Sequence, residues 1–200
     1  MTPPATPRFR PATPDDAHHL AVFVNMAGEG LPLYLWERMA GPGQTPWDVG
    51  HARARRDSGS FSWRNAILRV DESGEPIACL IGYPLEDNPA PVDYSTLPPM
   101  FEPLQRLEDL APGTWYINVL ATLESHRRRG HGRELLALAE SLAASKGKRG
   151  LSIIVSDANT GARRLYTSLG YQEVAQRPMV KEQWNNPGSS WVLLTKHPAA

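Results

Sequence analysis

The sequence predicts an α/β domain built around a strand–helix–strand unit. Residues 115–122 form an apolar, aromatic run, residues 133–146 carry apolar side chains at helical spacing, and residues 151–155 are continuously apolar. An amphipathic helix between two apolar strands is typical of a βαβ unit, whose strands are parallel with a right-handed crossover. The chain has 200 residues, 41% of them hydrophobic, which is enough for one full core.

Further strand and helix signals lie on both sides of this unit. The preceding residues predict a short strand at 9–12, helices at 13–28, 32–39 and 45–56, and a β-hairpin formed by 63–70 and 76–83. The following residues predict a helix at 159–169 and closing strands at 171–181 and 190–196. Thr13 and Thr45 each precede a proline and then an acidic residue, a sequence that favours a capped helix start.

Three segments define the predicted domain organisation. Residues 84–113 are rich in proline, which excludes a central strand, so we interpret them as an insertion beside the site with a short helix near 100–110. Residues 1–7 predict a disordered leader without the apolar stretch of a secretory signal. Residues 8–197 are then one domain. Because no apolar stretch reaches transmembrane length, we expect a cytoplasmic protein that does not enter a membrane.

Charge and cysteine content narrow the function classes. Lys+Arg and Asp+Glu both number 21, and this balance argues against nucleic-acid binding, which usually requires a basic excess. The single cysteine, Cys79, lies in an apolar run and is expected to be a buried, inert thiol. The adjacent His18 and His19 cannot share one helical face, and no histidine or cysteine spacing matches a zinc site. We therefore predict no metal.

The glycine-containing turn before the central helix predicts a phosphate site. Residues 127–132, Arg-Arg-Arg-Gly-His-Gly, lie where a strand turns into a helix. The first amides of a helix lack intrahelical partners and lie at the positive end of its dipole, so they favour anions. A dinucleotide-binding fingerprint would need glycine where Leu135 stands, and a Walker loop would need Gly-Lys-Ser/Thr. A solvated basic helix start is the simpler alternative.

What the turn does fit is Arg/Gln-x-x-Gly-x-Gly/Ala, filled by Arg127, Gly130 and Gly132. Here the chain resembles the GNAT superfamily of N-acetyltransferases. A second resemblance is the run Asn159-x-x-Ala162-x-x-Leu165-Tyr166-x-x-Leu169-Gly170-Tyr171. The clear resemblance covers residues 115–171, and the N-terminal half agrees in element order only. It implies a mixed, mostly antiparallel twisted sheet with a central parallel βαβ unit and helices on both faces.

The resemblance implies acetyl-coenzyme A (acetyl-CoA) as co-substrate and assigns its binding residues. The backbone of the predicted fourth strand would hold the acetyl and pantetheine end, and the turn would hold the pyrophosphate. The implied cofactor-binding residues are Leu120, Ala121, Thr122, Arg127, Arg128, Arg129, Gly130, His131, Gly132, Arg133 and Asn159. Plain core packing remains the alternative for the strand residues, and a helix N-cap is a second role for Asn159.

The resemblance also suggests catalytic residues. It implies Tyr166 as the general acid for the departing thiolate, although a tyrosine in an amphipathic stripe can equally be core. Related enzymes often carry a glutamate on strand four or five, and this sequence offers none there. Our hypothesis for the general base is Glu29, in the loop after the first helix, with Asp157 as an alternative. Both can also be read as solvated loop acids.

The sequence therefore predicts an acetyl-CoA-dependent N-acetyltransferase acting on an amine acceptor, in which the amine attacks directly within a ternary complex. The first alternative is an inactive coenzyme-binding module of the same fold, suggested by the missing strand glutamate. The second is a nucleic-acid-binding protein that uses the arginine run. Zero net charge argues against a strongly basic acceptor and favours a small molecule. The resemblance also implies that two copies can pair as a homodimer.

Overall fold

The computed structural model describes residues 8–197, so the predicted leader at 1–7 lies outside the described residues. The helices are α1 (Ala17–Ala27), α2 (Leu31–Met39), α3 (Pro46–Ala54), α4 (Glu102–Glu108), α5 (His131–Ser145) and α6 (Thr160–Ser168). The strands are β1 (Phe9–Pro11), β2 (Ala66–Val70), β3 (Pro76–Pro84), β4 (Trp115–Thr122), β5 (Leu151–Ser156), β6 (Gln172–Pro178) and β7 (Ser190–Lys196). Within this part of the chain, every helix is too short or too polar to span a membrane.

The strands form a sheet with the order β1-β2-β3-β4-β5-β7-β6. The pairs β1/β2, β2/β3, β5/β7 and β6/β7 are antiparallel. β4 and β5 are parallel, with a register from Trp115↔Leu151 to Ile117↔Ile153. This mostly antiparallel sheet with one parallel pair around α5 confirms the predicted fold class.

The described residues divide into two compact units. The first runs up to Gly82 and includes Asn118–Ala137, and the second comprises Tyr83–Ile117 and the chain from Leu138 onward. β4 and α5 each contribute residues to both units.

The helices of the first unit bury apolar side chains in its core. Leu20, Phe23 and Leu68 are fully buried, and α1 and α2 both pack against α3. Trp36 stacks on Phe61 with ring centroids 5.9 Å apart. Gly50 makes room for this tryptophan, because a Cβ there would lie 2.6 Å from its ring. Trp36 is therefore a core residue.

The second unit contains the proline-rich insertion. Its helix α4 packs against β5, β6 and β7. The Thr114 hydroxyl lies 2.7 Å from that of Ser152, so a buried hydrogen bond joins the start of β4 to β5. Trp184 stacks on Trp191, near the start of β7, with ring centroids 5.9 Å apart. The contacts of α4 integrate this helix of the insertion into the packing of the second unit.

Several element boundaries differ from the predictions. The strand predicted at 63–70 begins as a 3-10 turn, Trp63–Asn65, because the Ser62 hydroxyl caps that turn by accepting from the Arg64 amide. α5 begins at His131, two residues earlier than expected, because the Gly130 carbonyl accepts from the Glu134 amide. β6 ends at Pro178, after which the chain turns toward β7.

A partly buried ion pair between Arg10 and Asp16, before α1, leads to a prediction about stability. Burial raises the pKa of Asp16, but hydrogen bonds from Arg10 and Thr13 outweigh it and lower the pKa to about 2. Because the folded-state pKa lies below the unfolded value, the stabilisation is present above about pH 4 and is lost as the pH falls toward 2. We expect Asp16→Asn to lower the free energy of unfolding by about 2 kcal/mol at neutral pH and by almost nothing near pH 2.

Denaturant titrations at several pH values measure this difference. Asp15→Asn is the matched control, since Asp15 is exposed in the same turn. A loss for Asp16→Asn that stays constant down to about pH 2 would contradict the prediction.

Candidate functional site

The turn between β4 and α5 has the backbone geometry of an anion cradle. A 3-10 turn, Glu124–His126, follows β4, and the Arg127 Nε then donates to the Thr122 carbonyl at 3.3 Å. Arg128 and Gly130 both have positive φ, 61° and 88° respectively. Glycine reaches this region without the steric cost that a Cβ imposes. The predicted motif glycine therefore occupies a position whose backbone favours glycine.

The N-terminus of α5 opens directly from this turn. The Glu134 amide donates to the Gly130 carbonyl at 3.1 Å, which closes the first helical turn. The amides before Glu134 have no intrahelical acceptor. The side chains of Arg127, Arg128, Arg129 and Arg133 are exposed around them. Free amides, a helix dipole and arginines together suit a pyrophosphate.

One acidic side chain lies in the first turn of α5. The Glu134 carboxylate accepts from Arg8 Nη2 at 2.6 Å and from Arg69 Nε at 3.1 Å. His131 Nδ1 lies 3.5 Å from the same carboxylate. Burial raises the pKa of Glu134, but the hydrogen bond from Arg69, the nearby His131 and the charge of Arg8 bring it below its ordinary value. Glu134 is therefore ionised at neutral pH. Sequence reasoning missed Arg8 and Arg69.

The predicted acetyl-binding segment is the C-terminal end of β4. Ala121 is 7% exposed, and the flanking Leu120 and Thr122 are half-buried. The parallel register of β4 with β5 ends at Ile117, so these three residues lie past it. The Leu123 amide donates to the Ile77 carbonyl at 2.9 Å, which fixes the end of β4.

In the second unit, α6 carries the other two predicted site residues. The Asn159 side-chain oxygen accepts from the Ala162 amide at 3.1 Å, so Asn159 is the N-cap of α6, as predicted. Tyr166 is 4% exposed, and its ring centroid lies 5.7 Å from that of Tyr171. Burial raises the pKa of Tyr166, so its phenol stays protonated at neutral pH. A protonated phenol can donate a proton but cannot act as a base.

The two acids considered as general base differ in environment. The Asp157 carboxylate accepts from the Ser189 amide at 2.8 Å and from the Ser189 hydroxyl at 2.6 Å. These hydrogen bonds lower its pKa, which makes it a weak base and gives it a role in holding the segment before β7. Glu29 is half-buried between Gly28 and Gly30, with a positive φ of 51°. A non-glycine residue in that conformation is uncommon and worth testing for function.

The described residues offer little support for thiol or metal chemistry. Cys79 is fully buried, and burial raises the pKa of its thiol, so it is a poor nucleophile. Across residues 8–197, no group of three or more His, Cys, Asp or Glu side chains is arranged to hold a metal ion.

The sheet, the parallel β4–α5–β5 unit and the glycine turn define an α/β fold of the acetyltransferase type. The Acetyltransferase (GNAT) family profile matches residues 33–171, which is more than half of the chain. The protein therefore belongs to the GNAT family of acetyltransferases. The comparison with curated proteins gave no match.

Solved structures agree with this fold. A crystal structure of an acetyltransferase is 22% identical, with a TM-score of 0.64 over 94% of this chain and 98% of that one. An N-acetyltransferase from Staphylococcus aureus Mu50 is 17% identical, with a TM-score of 0.61 over 94% and 99%. Arabidopsis thaliana NAA60, solved with a bisubstrate analogue, is 16% identical, with a TM-score of 0.58 over 94% and 96%.

Proposed function

We propose that the protein transfers the acetyl group of acetyl-CoA to an amine of a small-molecule acceptor. The observation that carries this proposal is the arginine–glycine turn at the N-terminus of α5 in a chain of the GNAT family. Its amides, positive φ at Gly130 and exposed arginines suit a bound pyrophosphate. Acetyl-CoA is an acetyl donor that carries such a group.

The donor would be held at two places in the first unit. Residues 127–133 would bind the pyrophosphate through backbone amides and arginine side chains. Leu120, Ala121 and Thr122 would bind the pantetheine and acetyl end through their backbone, with one amide stabilising the carbonyl oxygen. The family resemblance also assigns Asn159 a contact with the coenzyme, in addition to its capping of α6.

The reaction we propose is a direct attack within a ternary complex. The amine nitrogen attacks the thioester carbonyl carbon, a C–N bond forms, and the C–S bond breaks. Glu29, directly or through water, accepts the amine proton, and Tyr166 protonates the departing thiolate. Holding the two reactants together can lower the barrier by about 7 to 11 kcal/mol. The inert Cys79 offers no support for a covalent enzyme intermediate.

The test combines binding and turnover. Calorimetric titration of the purified protein with acetyl-CoA should show one saturable site. A panel of small amines, followed by detection of free thiol and of the acetylated product, should then identify acceptors. Binding without thiol release from any amine would favour the inactive coenzyme-binding module. No binding of acetyl-CoA would refute the proposal.

Replacing Glu29 by glutamine tests the proposed base. We expect kcat/KM for the best acceptor to fall by about 10²-fold, because general base catalysis typically contributes at least that much. The acidic limb of the pH–rate profile should also disappear, while acetyl-CoA binding stays unchanged. Glu72→Gln, in the exposed hairpin turn, is the control. An unaltered pH–rate profile in Glu29→Gln would rule out Glu29 as the base.

A further inference from the structure

Glu134 presents an electrostatic problem for the proposed pyrophosphate site. Its carboxylate is in the first turn of α5, the helix whose N-terminus would bind a dianion. Like charges repel, so an unpaired carboxylate in this turn would weaken the binding of the dianion. Cationic partners of the carboxylate would offset that repulsion.

Arg8 and Arg69 supply that charge. Both lie in the first unit. Arg8 directly precedes β1, and Arg69 lies within β2, where it is paired opposite Phe9. Arg8 binds one carboxylate oxygen of Glu134 at 2.6 Å, and Arg69 binds the other at 3.1 Å. Each oxygen therefore has its own guanidinium donor.

Arg69 is the more constrained of the two. Its side chain is 11% exposed, whereas the Arg8 side chain is 65% exposed. Its guanidinium lies 5.6 Å from the Phe9 ring centroid, and a second nitrogen donates to the Val70 carbonyl. An ion pair with such a buried partner is screened less by solvent than an exposed one. Arg69 is thus the main neutralising partner of Glu134.

We propose that Arg69 is a positioning residue for acetyl-CoA binding, which neutralises Glu134 and keeps its carboxylate on the β2 side of the α5 N-terminus. This inference rests on the proposed function. It predicts that Arg69 does not touch the coenzyme and that its effect depends entirely on the charge of Glu134. A direct contact between Arg69 and a phosphate would not depend on Glu134. This dependence therefore distinguishes a positioning role from direct binding.

A double-mutant cycle tests this dependence. Arg69→Met should weaken acetyl-CoA binding by about five- to tenfold, the size of a charge effect at a helix end. Glu134→Gln alone should bind at least as tightly as the wild type, and Arg69→Met/Glu134→Gln should recover wild-type affinity to within about twofold. The loss in Arg69→Met should also shrink at high salt, because ions screen the freed carboxylate. Arg64→Met is the matched control, since Arg64 is an exposed arginine paired with Asp57 at 2.8 Å.

Several outcomes would overturn the inference. One is unchanged affinity in Arg69→Met, and another is a double variant that binds no better than Arg69→Met. If Arg69→Met does not fold, Glu134→Gln decides, because a purely structural ion pair would make that variant bind more weakly. Wild-type protein that does not bind acetyl-CoA would refute the proposed function itself, so the two failures are distinguishable.

Discussion

Replacing Gly130 by glutamate is expected to weaken acetyl-CoA binding by about a hundredfold or more. Gly130 has a φ of 88° directly before α5, a conformation that side-chain-bearing residues adopt only with strain. The new carboxylate would also lie where the pyrophosphate is proposed to bind. Like-charge contacts cost several kcal/mol, and each 1.4 kcal/mol is a factor of about ten in affinity. Calorimetric titration with acetyl-CoA measures the effect.

The same helix offers a matched control. Gly147 follows the C-terminal end of α5, has a φ of 64°, and has open space around a built Cβ, as Gly130 does. Gly147→Glu therefore introduces the same acid at the same kind of backbone position. We expect it to bind acetyl-CoA like the wild type. Equal losses in both variants would show that strain or charge alone explains the result, and the turn would then be only a basic helix start.

Gly130→Ala separates the two contributions at the turn. It keeps the backbone strain and omits the charge, and its Cβ meets no atom within 4 Å. We expect a loss of about tenfold or less, since strain at a single residue costs roughly 1 kcal/mol. An alanine variant as defective as the glutamate variant would show that backbone geometry, and not repulsion, controls binding.

Replacing Tyr166 by phenylalanine is expected to lower kcat by about 10²-fold while leaving acetyl-CoA affinity nearly unchanged. A general acid typically contributes 10²- to 10⁴-fold, and the ring itself is retained. Burial raises the pKa of Tyr166, so the wild-type phenol stays protonated across the assay range. The defect should therefore be independent of pH between about 6 and 9. Steady-state kinetics with the best acceptor measures both the size and the pH dependence of the effect.

Tyr171 provides the control for this experiment. Its ring centroid is 5.7 Å from that of Tyr166, it is 2% exposed, and burial raises its pKa as well. Its buried hydroxyl has no hydrogen-bond partner among the described residues, so Tyr171→Phe removes only an unsatisfied group. We expect full activity in this variant. If Tyr166→Phe keeps wild-type kcat, Tyr166 is a core residue and another proton donor must be sought.

Local patterns accounted for much of the fold. The β4 boundaries and the Asn159 cap of α6 match the predictions, because hydrophobic periodicity and capping depend on residues close in sequence. The errors were also local. Residues 63–65 were predicted to start a strand but form a 3-10 turn. Apolar and polar residues stand side by side in both kinds of structure, so the pattern did not distinguish them.

The environments of individual side chains were harder to predict from the sequence. Asp157 read as a loop acid, but its carboxylate binds Ser189, 32 residues later. Nothing near Trp36 in the sequence predicts that its ring stacks on Phe61 or lies close to the backbone at Gly50. Which face of an element is buried can be predicted, but the partner it meets depends on how distant elements pack.

The sequence by itself determined the α/β class, the order of the elements and the arginine–glycine turn, because each depends on short-range spacing. Only the tertiary structure decided the charge balance around that turn. Arg69 and Arg8 lie 65 and 126 residues from Glu134, and pairing of β1 with β2 brings both arginines to its carboxylate. An ion pair of this kind has no local pattern, since it depends on strand register and on where α5 packs.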